Sequence, residues 1–360
     1  MKNYFFYCFF LILTSCWNTT SNSLIEIDDI DYSFTDKEFA NVKEIRSTLL
    51  NDSMVHRPVR IALHDSVLFS VDAAYSDGFI VRVFSADNGA YQGSLFHRGN
   101  GPNEVLSVDD ITFSNDYFWA YDITSQKWIG NDFGDIFNKK ANTDKRVVDF
   151  KSLSYMGVND PQWIQKGFVA NNLFQYKERF SFYTSKGKII NSVFNPKFHF
   201  KESFPPAVLS DIFSTHLTVT PDQKKMILVG RYLDVIEIYN TDGQLIKLLK
   251  GPKENLDFKF DEEKSMQNSV LIKSPESSRA YLKVRATQER IYALYSGKEK
   301  RDKEHYSYSK NLYVFSMEGE PIVKYSLDVP IIDFVVDEAR HKIFAVAGSP
   351  ESELVSFAMQ

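Results

Sequence analysis

The residues of this chain best placed for chemistry are Leu13-Thr14-Ser15-Cys16. They stand behind Lys2 and an apolar run from Tyr4 to Ile12. A positive start, a short apolar stretch and small residues before a cut site are the physical parts of a secretory signal. The run is too short to cross a bilayer, which takes about 20 apolar residues. The second cysteine, Cys8, falls inside the leader, so a chain cut before Cys16 carries that thiol alone and no disulfide. A body of this length buries enough core to do without bridges.

A second stretch with chemical potential is His97-Arg98-Gly99-Asn100-Gly101-Pro102-Asn103-Glu104. Its glycines expose backbone N–H groups of the kind that bind anions. As a ligand site it would use Arg98 to pair with an anionic group, Asn103 to donate hydrogen bonds, and Glu104 beside them. A related string, Gly251-Pro252-Lys253-Glu254, occurs later, and such recurrence favours a turn between strands over a unique site. Metal chemistry finds less support. The seven histidines form no local ligand spacing, and Asp28-Asp29-Ile30-Asp31 lacks the glycine of a calcium loop. No G-x-S-x-G elbow and no P-loop are present, and Ser307-Tyr308-Ser309-Lys310 fits S-x-x-K without its partner motifs. No catalytic motif identifies an activity, and no cofactor is expected.

The elements that would position these residues are short strands. The net charge is −5, and loss of Lys2, the leader's one charged residue, makes it −6. No basic run appears, which points away from nucleic acid. Aromatic residues make up 15% of the chain and favour strands. A polar Trp17 to Ile25 segment reads as a tether. One unit then recurs: an apolar strand end, small or polar residues, a glycine, and another strand. Its glycines are Gly89, Gly134 (a weaker copy), Gly187, Gly243 and Gly319, separated by 45, 53, 56 and 76 residues. Between them lie pairs of inner strands: 60–63 with 67–70, 110–113 with 117–120, 163–164 with 168–169, 217–219 with 226–229, 282–284 with 291–294, and 333–336 with 342–346. A period near 50 built from four strands is the mark of propeller blades. The sixth blade runs out of chain after Leu354 to Phe357 and lacks an outer strand. A raw edge invites aggregation, so a strand within Phe39 to Leu50 is expected to complete it. The fold class is therefore all-β, a six-bladed β-propeller closed by an N-terminal strand. The charged stretches 250–280 and 297–309 read as inserts on the rim.

Two resemblances add to this reading. The leader with Cys16 resembles a bacterial lipoprotein signal with its lipobox, which implies cleavage before Cys16 and diacylation of its thiol. Two or more acyl chains hold a protein at a membrane almost permanently. Residues 59–360 resemble the TolB-like or NHL-like six-bladed propeller lipoproteins of Bacteroidetes. The closest local match is the His97 to Glu104 stretch, although Asn103 replaces the family's last glycine and the spacing at Gly99-Asn100 is longer. Membership implies an extracytoplasmic binding scaffold and transfers no catalytic residue. The expected organisation is a signal peptide over 1–15, a lipidated tether over 16–37 and the propeller over 38–360. The expected function is a monomeric, lipid-anchored scaffold with a peptide, glycan or envelope-protein ligand at the mouth of the ring. Absence of acidic residues before Glu26 favours the periplasmic face of the outer membrane. The alternative is a propeller enzyme of lactonase, lyase or hydrolase type with a central metal. Asp72, Asp110, Asp122 and Asp333 are then candidates to face the channel, against a simpler role as strand-end caps.

Overall fold

Strands that alternate apolar and polar residues bury one face, whereas strands apolar throughout must be covered on both. This chain combines the two kinds in a ring. The computed structural model describes residues 25–50, 54–73, 77–101, 104–114, 117–134, 146–150, 157–172, 177–194, 198–201, 203–253, 260–265, 268–303, 305–348 and 351–359. Four short strands come first: β1 (Ile25–Ile27), β2 (Tyr32–Ser33), β3 (Val42–Ile45) and β4 (Ser47–Leu49).

Blade 1 is the antiparallel sheet β5 (Pro58–His64), β6 (Val67–Asp72), β7 (Phe79–Ser85) and β8 (Tyr91–His97). Blade 2 contains β9 (Asp110–Ser114), β10 (Tyr117–Asp122), β11 (Lys127–Asp132) and β12 (Arg146–Asp149). Blade 3 follows as β13 (Val158–Ile164), β14 (Gly167–Asn172), β15 (Glu178–Tyr183) and β16 (Ile189–Phe194). After β17 (Phe198–Phe200) and the helix α1 (Pro206–Ile212), blade 4 is β18 (Thr215–Val219), β19 (Lys225–Gly230), β20 (Val235–Asn240) and β21 (Leu245–Lys250). The insert at 250–280 contains a hairpin, β22 (Phe260–Ser265) and β23 (Asn268–Lys273), beside α1. Blade 5 consists of β24 (Tyr281–Ala286), β25 (Arg290–Tyr295), β26 (Ser309–Ser316) and the first part of β27 (Pro321–Asp337). The rest of β27 opens blade 6, with β28 (Lys342–Ala347) and β29 (Glu353–Ala358).

The core lies between blades. Phe69, Val81 and Phe118 join blades 1 and 2, and Trp128, Phe168 and Tyr183 join blades 2 and 3. Val169, Leu217 and Met226 continue into blade 4. Ile227 with Ile291, then Tyr292 with Ile343, carry the packing through blades 5 and 6. Leu68 and Phe84 meet Phe344 and Leu354, which closes the ring. Second strands such as β19 and β28 are apolar at nearly every position because a neighbouring blade covers each face.

The missing outer strand of blade 6 is β4. Its residues Ser47, Thr48 and Leu49 pair antiparallel with Phe357, Ser356 and Val355. The N-terminal segment does more than the single closure expected of it. β1 pairs with β17, β2 runs parallel to β21, and β3 runs parallel to β27 at Lys324–Leu327. Among the described residues, contact with the ring is already made at Ile25, inside the 16–37 stretch expected as a tether. Four of the expected hairpin glycines have positive φ, with Gly243 and Gly319 both at +85°. Gly134 is not in the left-handed region. The link from β11 to β12 is too long for a tight hairpin, and its residues 135–145 lie outside those described.

Candidate functional site in the central channel

First strands line the axis of a propeller, so a polar residue on an inner strand either pairs in the channel or faces a ligand. Here each blade delivers charge or hydrogen-bonding capacity. Arg60 comes from β5, Asp110 from β9 and Asp160 from β13. His216 comes from β18, Lys283 and Arg285 from β24, and Asp333 from β27. Lys283 and Arg285 share a face through the two-residue period of a strand. Asp160 sits at the irregularity between Asn159 and Gln162, with φ of +46°. Asp tolerates the left-handed region better than most residues. Its Oδ2 accepts from the backbone N–H of Leu217 at 3.4 Å.

A charged layer crosses the channel. Arg285 Nη2 donates to Asp333 Oδ1 at 3.2 Å and to the Ile61 carbonyl at 3.2 Å, while its Nε donates to the Phe334 carbonyl at 3.0 Å. Asp333 also accepts from the N–H groups of Ile61 and Phe334. Asp110 lies 3.8 Å from both Lys283 Nζ and Arg285 Nη1. Burial raises the pKa of Asp110 even though Lys283 and Arg285 pull it down. Carboxylates so engaged with cations are poorly disposed to hold a metal. Among the described residues no group of three or more His, Cys, Asp or Glu is placed to do so.

Two cavities flank this layer. One, of about 440 Å³, lies toward Leu63, Phe113, Trp163 and Thr287, with Arg285 facing it. The other, of about 330 Å³, is the mouth where residues of all six blades meet, among them Arg60, Asp109, Asn159, His216, Lys283 and Asp333. Arg60 is anchored there on Asp109 at 3.1 Å. Burial drives the His216 pKa well below its ordinary value, and Arg231, Lys283, Arg279 and Arg60 push in the same direction. The imidazole is neutral at pH 7.

Sequence reasoning placed some of these residues and not others. Asp110 and Asp333, for which a strand-end cap was the simpler expectation, lie in the channel among Lys283 and Arg285. Asp72 instead accepts from Arg82 Nε at 3.2 Å inside blade 1. Asp122 caps the turn after β10, accepting from the N–H groups of Leu106, Thr124 and Ser125. Arg98 and Glu104 stand on the loop after β8 and line neither channel cavity. That loop closes on itself. The Glu104 carboxylate accepts from Gly101 N–H at 2.8 Å, and Arg98 bridges to Val105. A Cβ on Gly99 would stand 1.9 Å from Glu104 Oε2. The second glycine string is built alike, for Lys253 N–H and Tyr295 Oη donate to the buried Asp234 carboxylate at 2.9 and 2.8 Å. Asn103 and Cys16 lie outside the described residues. The cations Arg231, Arg279 and Lys283 escaped the sequence reading. Only Lys283 left a signal, as a lysine inside the apolar inner strand Leu282-Lys283-Val284.

Comparison with known proteins agrees with this architecture. A family model described as TolB-like 6-blade propeller-like matches residues 36–339. A crystal structure from Bacteroides fragilis NCTC 9343, of a protein described as exported, is similar at a TM-score of 0.52 and 14% identity. The match covers 94% of this chain and 96% of that one. The β-propeller domain of Cps50 (Swd1) from Myceliophteria thermophila has a TM-score of 0.47 at 11% identity, over 87% of this chain and 100% of that one. No curated protein matches the sequence.

Proposed function

This chain belongs to the TolB-like six-bladed propeller family, and from that premise we propose that it is a lipid-anchored binding protein of the bacterial cell envelope. Its ligand, a peptide, a glycan or a partner protein, sits at the channel mouth. The carrying observation is the 330 Å³ cavity to which every blade contributes a side chain. Such convergence on a concave polar site is the usual setting for recognition, and the rigid ring holds each group in place with little entropy left to lose on binding. The leader and Cys16 support export and acylation, in keeping with the exported description of the Bacteroides fragilis protein. Eight residues lie between Cys16 and Ile25, the first described residue, which pairs with β17. Fully extended they reach about 30 Å, which would keep the propeller close to the bilayer.

One experiment addresses both halves of the proposal. A photo-crosslinking residue replaces Ser307 at the mouth or Ile190 on the exposed rim, in chains with Cys16 or with Cys16→Ser. The Cys16 protein is expected in the membrane fraction, with a discrete adduct from position 307 and none from 190. Cys16→Ser is expected in the soluble fraction. Membrane retention of Cys16→Ser would overturn the anchor, and equal labelling from both positions would overturn the mouth as the binding site.

A further inference from the structure

Arginines that turn inward in this protein are matched to carboxylates. Arg82 meets Asp72 and Asp77, Arg179 meets Glu237, and Arg285 meets Asp333. Arg231 and Arg279 break the pattern. Arg231 follows β19 and Arg279 precedes β24, and the Ala280 N–H donates to the Arg231 carbonyl at 2.9 Å, which sets the two side by side. Both line the mouth cavity. Neither forms an ion pair with a carboxylate among the described residues, and the Nε of each is buried with no hydrogen-bond partner. Arg279 lies over the Tyr306 ring at 5.7 Å. Next to them the two ring nitrogens of His216 are also without hydrogen bonds, Nδ1 being 3.6 Å from Asp160.

Two adjacent guanidinium groups repel, and buried donors without acceptors are costly. Burial, followed by the charge of Arg231, lowers the pKa of Arg279. An arrangement that is unfavourable when empty becomes favourable when an anion enters, because planar guanidinium forks grip oxyanions in bidentate fashion. We infer that Arg231 and Arg279 form the seat for a dianionic group of the proposed ligand, a dicarboxylate or a phosphate monoester borne by a peptide or glycan, held at the channel mouth. The inference rests on the proposal that the mouth is a ligand site and adds the class of ligand. Two negative charges match the two unpaired cations. Asn159, Ser307 and neutral His216 offer hydrogen bonds to the remainder of the molecule. Asp160 and Asp333 on the same cavity would repel an anion placed deeper, so the charged group stays on the side of blades 4 and 5. A volume near 330 Å³ is at the small end of ligand sites.

Isothermal titration at low ionic strength tests this with succinate, inorganic phosphate and potassium chloride as probes. Saturable binding of succinate or phosphate is expected, and none of chloride; the preferred dianion separates the carboxylate from the phosphate source. Arg231→Gln and Arg279→Gln should each weaken binding at least tenfold. Each should leave the melting temperature of the ligand-free protein unchanged or raised, since the substitution removes repulsion. Arg279→Lys, which keeps charge and loses the fork, should fall between. A lowered melting temperature with unchanged binding would assign the arginines a structural role and overturn the inference. If neither dianion binds while position 307 still crosslinks an envelope component, the ligand class is wrong and the mouth remains the site. If both fail, the inference falls with the proposal beneath it.

Discussion

At the scale of residues, burial sets the charge of interior groups, and two of them, His216 at the channel mouth and Asp234 behind the Gly251 turn, respond to pH with opposite sign. His216 has a folded pKa well below 6.5. As pH falls below 6.5 the unfolded chain takes up this proton before the native one does, so stability is lost on acidification. Asp234 behaves in reverse. Burial raises its pKa from 3.8 to about 6, despite the hydrogen bonds from Lys253 and Tyr295. Its stabilising contribution is complete below 3.8 and is lost as pH rises through about 6. Urea unfolding between pH 4 and pH 8 should therefore show His216→Asn losing less stability on acidification than the parent protein, and Asp234→Asn losing more. Parallel profiles for all three proteins would contradict these assignments. Of the residues concerned, only Asp110, Asp333 and Lys283 could be suspected from the sequence, as polar residues in or beside apolar inner strands. Arg231 and Arg279 lie outside strands, where charged residues are ordinary.

At the scale of elements, the second strands were the most legible, because a strand packed on both faces has little room for polar side chains, whereas the blade 3 pair, read as 163–164 and 168–169, runs over 158–164 and 167–172. The turns that leave the outer strands were legible by their glycines, and the structure supplies the reason for them. A Cβ at Gly251 would lie 1.8 Å from Asp234 Oδ1, on a short side chain that is completely buried. At Gly99 the obstacle is the end of Glu104, a longer side chain able to swing aside. Gly251→Ala should accordingly cost about 1–3 kcal/mol, the range for forced overpacking, and Gly99→Ala clearly less. Comparison of chemical denaturation midpoints would check the order, and equal losses would refute the steric account. Elements of marginal intrinsic signal were not legible. β1, β2 and β17 have two or three residues each, too few for periodicity to register. α1 has seven residues and begins with a proline.

At the scale of the whole molecule, one segment fastens four neighbouring stretches of the ring. Between β2 and β3, Phe34 and Phe39 are buried in the cluster shared by blades 4 and 5. Phe39 stacks on Tyr313 at 4.8 Å and 11°. Asp36 accepts from Tyr313 Oη and Lys324 Nζ at 2.6 and 2.8 Å, which outweighs its burial and lowers its pKa. A Thr35–Glu38 capping box holds the turn that presents them. Phe39→Ala should cost about 3–5 kcal/mol, and a chain starting at Met54 should melt well below one starting at Ile25. Calorimetry on the two truncations is the check. Matching melting temperatures would mean that the ring closes without its N-terminal belt.

The sequence by itself determined the ring: its six pairs of inner strands, its family and the need for an N-terminal strand to seal blade 6. These follow from local rules, since burial on both faces, tight turns and unpaired edges are each written into a few consecutive residues. Tertiary structure alone decided what the ring encloses. Arg60, His216, Arg231, Arg279 and Asp333 are spread over 273 positions of sequence and come together only because blades converge on one axis. The same holds for the belt, where short strands are stabilised by edges supplied from blades far along the chain. Pairing energy between distant segments leaves no periodic trace in either partner, so neither the charged mouth nor the full course of the belt could be read before the ring was closed.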